Sequence, residues 1–283
     1  MKRPGYKYQV SQALQSKLRI GESKHEAKRE GDLDGIYSWS TYHNYQSVGV
    51  QFLKWCRETY GIRLLEDAKP YIEAYIRYRI EKGYSPSTIK RDVAALCKIY
   101  GLRREHLAVE LPVRRRSDIT RSRTEKAHDR EFSEQRNQDV VDFCKGTGLR
   151  KHELAKVKGQ DVYTRNGKVY VHTKGKGGKE REVEVLPEYQ KHVLSCAKRV
   201  KSGELIFQKG QIKNRMDEHA YRREYAQKKY EQLARPVEEL PRRERYVCRK
   251  DKRGVVYDKK AMRKVSNNLG HERISVIAQS YIG

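Results

Sequence analysis

Four short runs of this sequence have side chains suited to work on a phosphodiester. The first is Gly148-Leu149-Arg150, an arginine at a glycine-loosened turn just before a helix. The second is Lys174-Gly175-Lys176-Gly177-Gly178-Lys179, a turn carrying three ammonium groups. The third is His219-Ala220-Tyr221-Arg222, whose imidazole and guanidinium at i and i+3 share one helix face. The fourth is Leu269-Gly270-His271, followed ten residues later by Tyr281. Cleaving a phosphodiester without a metal puts negative charge on the non-bridging oxygens, which guanidinium groups meet with paired donors. It also needs a nucleophile for phosphorus and an acid for the leaving oxygen. Arginine, histidine, lysine and a phenol cover these tasks. Taken singly, each run has a blander reading. An H-x-x-R pair arises readily by chance among 63 Lys and Arg and 9 His. The lysine-glycine turn suits a flexible hairpin loop, and it lacks the G-x-x-x-x-G-K-[ST] order of a nucleotide cradle. A tyrosine this near the end of a chain is ordinarily frayed surface.

The elements that must position these groups follow from composition and periodicity. A chain of 283 residues is long enough for about two domains. Its 63 basic residues against 37 acidic ones leave a net charge of +26. Such a surface seeks polyanions, nucleic acid first and an anionic membrane second. No apolar run is long enough to span a membrane. Met1 to Tyr8 is not followed by the apolar stretch of a signal peptide, so a cytoplasmic protein is expected. The five cysteines are widely spaced with no C-x-x-C, which supports reduced thiols and neither a disulfide framework nor a zinc site. No metal and no cofactor is expected.

Residues 1–35 are polar and basic and read as a tail, with one short helix between Lys17 and Arg29. A helical domain is expected over 36–110. Tyr45, Val48, Phe52 and Trp55 recur at helical spacing, with a stop at Gly61. Tyr71, Ile72, Tyr75, Ile76 and Ile80 outline a second helix ending at Gly83. Ser85 and Pro86 then form an N-cap and first-turn pair for a third, carrying Ile89, Val93 and Leu96. A basic linker follows over 111–130. Its Arg114, Arg115, Arg116, Arg121 and Arg123 suit a solvated connector or, between two basic domains, a strap across a phosphate backbone. The remaining span, 131–283, mixes helices with a small antiparallel sheet. Asn166-Gly167 marks a hairpin turn between Tyr163 and Val169, Val183 and Val185 alternate along a strand, and a second hairpin is expected from Tyr246 to Tyr257. The last helix expected holds Met262, Val265 and Leu269.

In chain order the four runs cease to be bland. The succession Arg, Lys, His-x-x-Arg, Leu-Gly-His, Tyr resembles the tyrosine recombinase (phage integrase) family. Thr147 to Leu154 resembles its first arginine box, including the acidic Glu153 three positions after Arg150. Lys176 to Arg181 resembles its β-hairpin lysine segment, and Leu269-Gly270-His271 its second histidine box. The likeness spans about Arg121 to Ile282, and more loosely the helical residues 38–105. It is most like integrases of conjugative elements and phages of Gram-positive bacteria. The resemblance implies a mainly α fold with a small antiparallel β-sheet, built as an N-terminal helical core-binding domain and an α+β catalytic domain. It further implies that Arg150 and Arg222 clamp the scissile phosphate, that His219 handles a proton or binds phosphate, and that His271 meets a non-bridging oxygen. Tyr281 is then the nucleophile and Lys176 the general acid, with Lys174 and Lys179 as rivals, while Glu153 orients the site.

The reaction so implied is strand exchange through a 3′-phosphotyrosyl bond and a four-way junction, independent of metal and ATP. Its partners are duplex DNA with a specific site, a homo-tetramer on two sites and accessory DNA-bending proteins. Three departures from the family pattern stand out. Tyr221 and Arg223 replace a usual Leu and His. The span from Arg222 to His271 is long, which points to the hairpin at Tyr246 to Tyr257 as an extra DNA or protomer contact. The chain stops at Gly283, where relatives often continue into a tail that docks on a neighbour, so a trimmed chain is an alternative. The N-terminal tail is short for an arm-site-binding domain. Rival readings are a type IB topoisomerase, a non-catalytic DNA-binding protein on the same fold, and an RNA-binding protein, which explains the charge but not the motif order.

Overall fold

The structure, a computed structural model, describes residues 4–31, 34–115, 132–175, 178–249 and 252–282. The chain divides into two compact units, Met1–Ile119 and Thr120–Gly283, each with its own apolar core. The first unit is helical: α1 (Tyr6–Gln15), α2 (Lys24–Arg29), α3 (Trp39–Tyr60), α4 (Leu65–Ala68), α5 (Ile72–Glu81) and α6 (Pro86–Tyr100). Ser38 and Ser85 start α3 and α6 by accepting the N–H of Thr41 and Thr88, each at 3.2 Å. The periodic residues seen in the sequence bury together, with Phe52, Leu53, Ile76, Ile89 and Leu96 at its centre. A buried ion pair locks α5 to α6, with Arg79 Nε and Nη2 donating to Asp92 Oδ2 at 3.0 and 2.9 Å.

The reading of residues 1–35 as a tail needs correction. Helix α1 buries Val10 and Leu14 completely in the core of the first unit. It packs so closely on α3 that a Cβ on Gly49 would lie 2.7 Å from a Val10 methyl. Further on, Leu18 and Ile36 pair in a parallel bridge. Two apolar residues four positions apart in an otherwise polar stretch gave too weak a periodic signal for this helix.

The second unit begins with α7 (Gln138–Thr147), which buries Val140, Val141, Phe143 and Cys144. It continues into the short α8 (Lys151–Leu154) and a sheet of β1 (Val162–Arg165), β2 (Lys168–Lys174) and β3 (Glu180–Glu184), in that spatial order and antiparallel throughout. Asn166 (φ 52°) and Gly167 (φ 72°) make the expected two-residue turn. Val169, Val171 and Val183 face the core. Next come α9 (Gln190–Lys198), α10 (Glu218–Leu233), a hairpin of β4 (Arg245–Val247) and β5 (Val256–Asp258), α11 (Lys259–Asn268) and α12 (Ser275–Ser280). Helix α12, which leads directly to Tyr281, lies beyond the last helix expected from the sequence.

The architecture is therefore mainly α with a small antiparallel sheet. All five cysteines are buried and none forms a disulfide. Among the described residues, no helix is long and apolar enough to cross a membrane. Residues 111–115 of the expected linker are irregular, and 116–130 lie outside the described residues.

Candidate active site

Arg222 sits at the centre of the second unit, and its residue is 1% exposed. It projects from α10, whose N-cap Asp217 accepts the N–H of Ala220 at 3.2 Å. One η nitrogen donates to the carbonyl of Gly148 and the other to that of Leu269. These residues are the C-caps of α7 and α11. The guanidinium thus closes two helix C-termini, where the backbone dipoles favour a cation. Gly148 can take that place because it has φ +60°, and a Cβ there would lie 2.7 Å from the ring of Tyr225.

The third nitrogen of Arg222, Nε, donates to the phenol of Tyr281 at 3.2 Å. The same phenol oxygen lies 3.1 Å from His271 Nε2, and Arg222 Nη2 approaches that nitrogen at 3.5 Å. Arginine only donates, so the Tyr281 oxygen accepts from Arg222 and its own proton is free to point at His271. Both neighbours of Nε2 then offer it hydrogens, which fits an unprotonated acceptor. Burial and the cations Arg222, Arg150 and Arg181 together push His271 down to about 4, so the ring is neutral at physiological pH. The turn that carries it is tied at both ends: the His271 N–H donates to Ser266 O at 2.9 Å, and Ser266 Oγ to His271 O at 3.1 Å.

Arg150 is positioned by Glu153, which is completely buried. The carboxylate accepts the Arg150 backbone N–H at 2.8 Å and Arg150 Nη1 at 3.0 Å. It also receives both η nitrogens of Arg181, at 2.9 and 2.8 Å. Burial alone would raise the Glu153 pKa, but the hydrogen bonds and charges of Arg181 and Arg150 hold it down at about 2. Arg181 Nε reaches on to the carbonyl of Asn268 at 2.8 Å. One guanidinium therefore ties β3, α8 and the end of α11 together, and a Cβ on Gly270 would sit 3.1 Å from it. Sequence reasoning gave Glu153 an orienting role but assigned none to Arg181. A signal was present: Arg181 alternates with the inward-facing Val183 and pairs across the sheet with buried Thr173. An arginine on that face requires a buried acid.

The structure thus gathers Arg150, Arg222, His271 and Tyr281. His219 stands three residues before Arg222 on the same helix. It is exposed in the first turn of α10, and none of the hydrogen bonds around the Tyr281 phenol reaches it. Spacing of i and i+3 sets a common face but not a common depth. Arg222 is buried on α10 together with Tyr221, Tyr225 and Ala226, whereas His219 is exposed. Lys176 lies outside the described residues. Lys174 and Lys179 in the same turn are exposed, 3.7 Å from Glu180 and 3.9 Å from Glu272. Arg114 and Arg115 are exposed in irregular backbone, and Arg116, Arg121 and Arg123 lie outside the described residues. Elsewhere, Asp139, His192 and Cys196 hold ligand-type atoms within 4.8 Å of one another. There Arg199 already occupies the carboxylate, and His192 hydrogen-bonds the Asp139 carbonyl at 3.0 Å.

Comparison with known proteins places this geometry. No curated protein sequence matches the chain. Among solved structures, the XerH site-specific recombinase bound to difH substrate in a pre-cleavage complex is similar at 15% identity with a TM-score of 0.54, covering 100% of this chain and 94% of that one. XerH in a post-cleavage complex on palindromic difH gives 16% and 0.52, covering 98% and 89%. The Tn1549 transposon integrase (residues 82–397) with circular intermediate DNA gives 15% and 0.50, covering 99% and 96%. These likenesses establish the fold. The sequence model of the phage integrase family matches residues 122–283, more than half of the chain, and the protein belongs to that family, the tyrosine recombinases of site-specific DNA recombination and integration.

Proposed function

We propose that this enzyme cuts and rejoins duplex DNA at a specific site with Tyr281 as nucleophile. The observation that carries the reading is the double engagement of the Tyr281 phenol, by Arg222 Nε at 3.2 Å and His271 Nε2 at 3.1 Å. In the proposed step the Tyr281 oxygen forms a bond to phosphorus and the bond from phosphorus to the 5′ oxygen breaks. The phenol proton passes to the neutral His271, and the 5′ oxygen takes a proton from a lysine of the 174–179 turn, Lys176 by its family resemblance. Arg150 and Arg222 meet the charge that builds on the non-bridging oxygens. His219, at the exposed start of α10, is left as a phosphate contact from the DNA side. The phosphotyrosyl link conserves the bond for religation by a partner strand's hydroxyl. Two such rounds pass through a four-way junction and imply a tetramer on two sites, with accessory bending proteins as further partners. Binding to specific duplex sites is supported by DNA-bound relatives of the same fold, XerH on difH and the Tn1549 integrase on circular intermediate DNA. The basic residues Arg114, Arg115, Arg116, Arg121 and Arg123 are proposed as backbone contacts.

The test begins by selecting duplexes from a random pool with the Tyr281→Phe protein. A nicked version of the selected duplex, incubated with the native protein in EDTA, should give a denaturant-stable protein–DNA adduct. The reading is wrong if no adduct forms, or if the adduct persists in Tyr281→Phe. Relaxation of unselected supercoiled plasmid without paired-site recombination would instead favour topoisomerase action.

A further inference from the structure

The β4–β5 hairpin grips the end of its own chain. Lys252, in the turn of that hairpin, donates from Nζ to the carbonyls of Ala278 at 3.1 Å and Ile282 at 2.9 Å. Tyr257 on β5 donates its hydroxyl to Ile282 O at 3.2 Å. Tyr281 lies between the two residues so held. Its helix, α12, has six residues, far too few to persist without support. The carbonyls at its C-terminus lack helical partners, and an ammonium there also meets the negative end of the helix dipole. The apolar hold on this helix is made by Ile277, Ala278 and Ile282, with Ile274 and Tyr281 packed against the same core.

The hairpin itself is firmly rooted. Cys248 is buried in the core. The Tyr257 ring meets Tyr230 edge-on at 5.7 Å. Asp258, completely buried, receives Arg235 Nε at 2.8 Å and caps α11 through Lys260 N at 2.8 Å. The contact therefore joins a hairpin anchored through Cys248, Tyr257 and Asp258 to a six-residue helix. We propose that Lys252 and Tyr257 are positioning residues that hold Tyr281 against Arg222 and His271 of the same chain, so that the active site is assembled in cis. The hairpin then serves this protomer's nucleophile. From the sequence it was expected to contact DNA or a neighbouring protomer. The inference rests on Tyr281 being the nucleophile.

The experiment compares the full chain with Lys252→Met, Lys252→Arg and Tyr257→Phe. Without DNA, hydrogen exchange of the Tyr281 and Ile282 amides, both bonded to Ile277 O, should quicken tenfold or more in Lys252→Met and to a lesser degree in Tyr257→Phe, while the α10 and α11 amides stay unchanged. On the selected nicked duplex, the adduct rate in Lys252→Met should fall at least tenfold with affinity within twofold of the native protein, and Lys252→Arg should recover most of the rate. A mixture of Arg222→Ala and Tyr281→Phe proteins should form no adduct, because neither chain carries a complete site. Unchanged exchange and adduct rates would overturn the proposal. So would a loss of DNA affinity with the bound-state rate intact, which would make the hairpin a DNA contact. An adduct in the mixture would show the tyrosine reaching a neighbour's site. If the native protein makes no Tyr281-dependent adduct, the nucleophile reading fails, while the exchange measurement still decides whether the grip exists.

Discussion

Glu153→Gln isolates the one negative charge among the site's arginines and keeps its shape. The native carboxyl is held at about 2 from an ordinary 4.5 by Arg181 and Arg150, against the opposing effect of its burial. At roughly 1.4 kcal/mol per pH unit, that gap corresponds to about 3 kcal/mol of stability. Removing one partner of a buried ion pair costs roughly 3–5 kcal/mol, and the glutamine keeps one carbonyl acceptor, so the two routes converge near the lower figure. The measurement is native-state hydrogen exchange of the β2 and β3 amides, with α3 and α6 in the other unit as internal reference. About 3 kcal/mol corresponds to roughly a hundredfold faster exchange. The pH dependence supplies a second arm. Because the folded-state value lies below the unfolded one, the stabilisation is complete above pH 4.5 and is lost as the pH falls through about 2. That loss should be present in the native protein and missing from the variant. Acceleration of less than threefold, or an acid profile shared by both proteins, would refute the assignment of Glu153 as the charge that holds Arg150 and Arg181.

Other perturbations probe the remaining parts of the site. Gly148→Ala forces a Cβ to within 2.7 Å of the Tyr225 ring at φ +60°. It should cost about 2–4 kcal/mol by denaturant titration, whereas Gly203→Ala, where the added Cβ meets nothing within 4 Å, should cost under about 1 kcal/mol. The His271 ring, followed by nitrogen chemical shift in the free protein, should titrate near 4; a midpoint near 6.5 would mean that the ring is neither desolvated nor flanked by the three arginines. Affinity for the selected duplex should fall with salt at about 0.9 log units per log unit of salt for each phosphate neutralised. A flat dependence would contradict electrostatic holding by a chain of net charge +26.

Much of this was legible because it depends on local chemistry. Ser85-Pro86 and Asn166-Gly167 dictate their own backbone geometry, and the structure has a helix start at one and a two-residue turn at the other. Gly148 and Leu-Gly-His mark helix ends, and those ends supply the carbonyls that seat Arg222. What stayed hidden depends on partners distant in the chain. Helix α12 has too few apolar positions to show a period, and it is held by Lys252 from the hairpin. Helix α1 is recognisable as core only once α3 is there to receive Val10. The depth of a helix position was equally invisible, so His219 and Arg222 looked equivalent although one is exposed and the other buried.

The charge balance of the assembled site indicates what it is built to receive. Arg150 and Arg181 share the carboxylate of Glu153. Arg222, the most buried of the three, is hydrogen-bonded among the described residues to carbonyls, a phenol and an imidazole, and to no carboxylate. Its burial and the nearby Arg150 charge both depress its pKa, yet a guanidinium stays charged in a protein. With His271 neutral, three guanidinium groups face one carboxylate, an excess of two positive charges, with Arg222 fully buried and Arg150 partly exposed. A buried cation without a counter-ion is costly to the free enzyme. A phosphodiester, carrying one negative charge, relieves part of that cost, and the transition state of phosphoryl transfer, with more charge on its non-bridging oxygens, relieves more. An environment that gains most from the species with most charge favours the transition state over the bound substrate. A second acid beside Arg222 would stabilise the empty enzyme and remove the difference on which the chemistry depends.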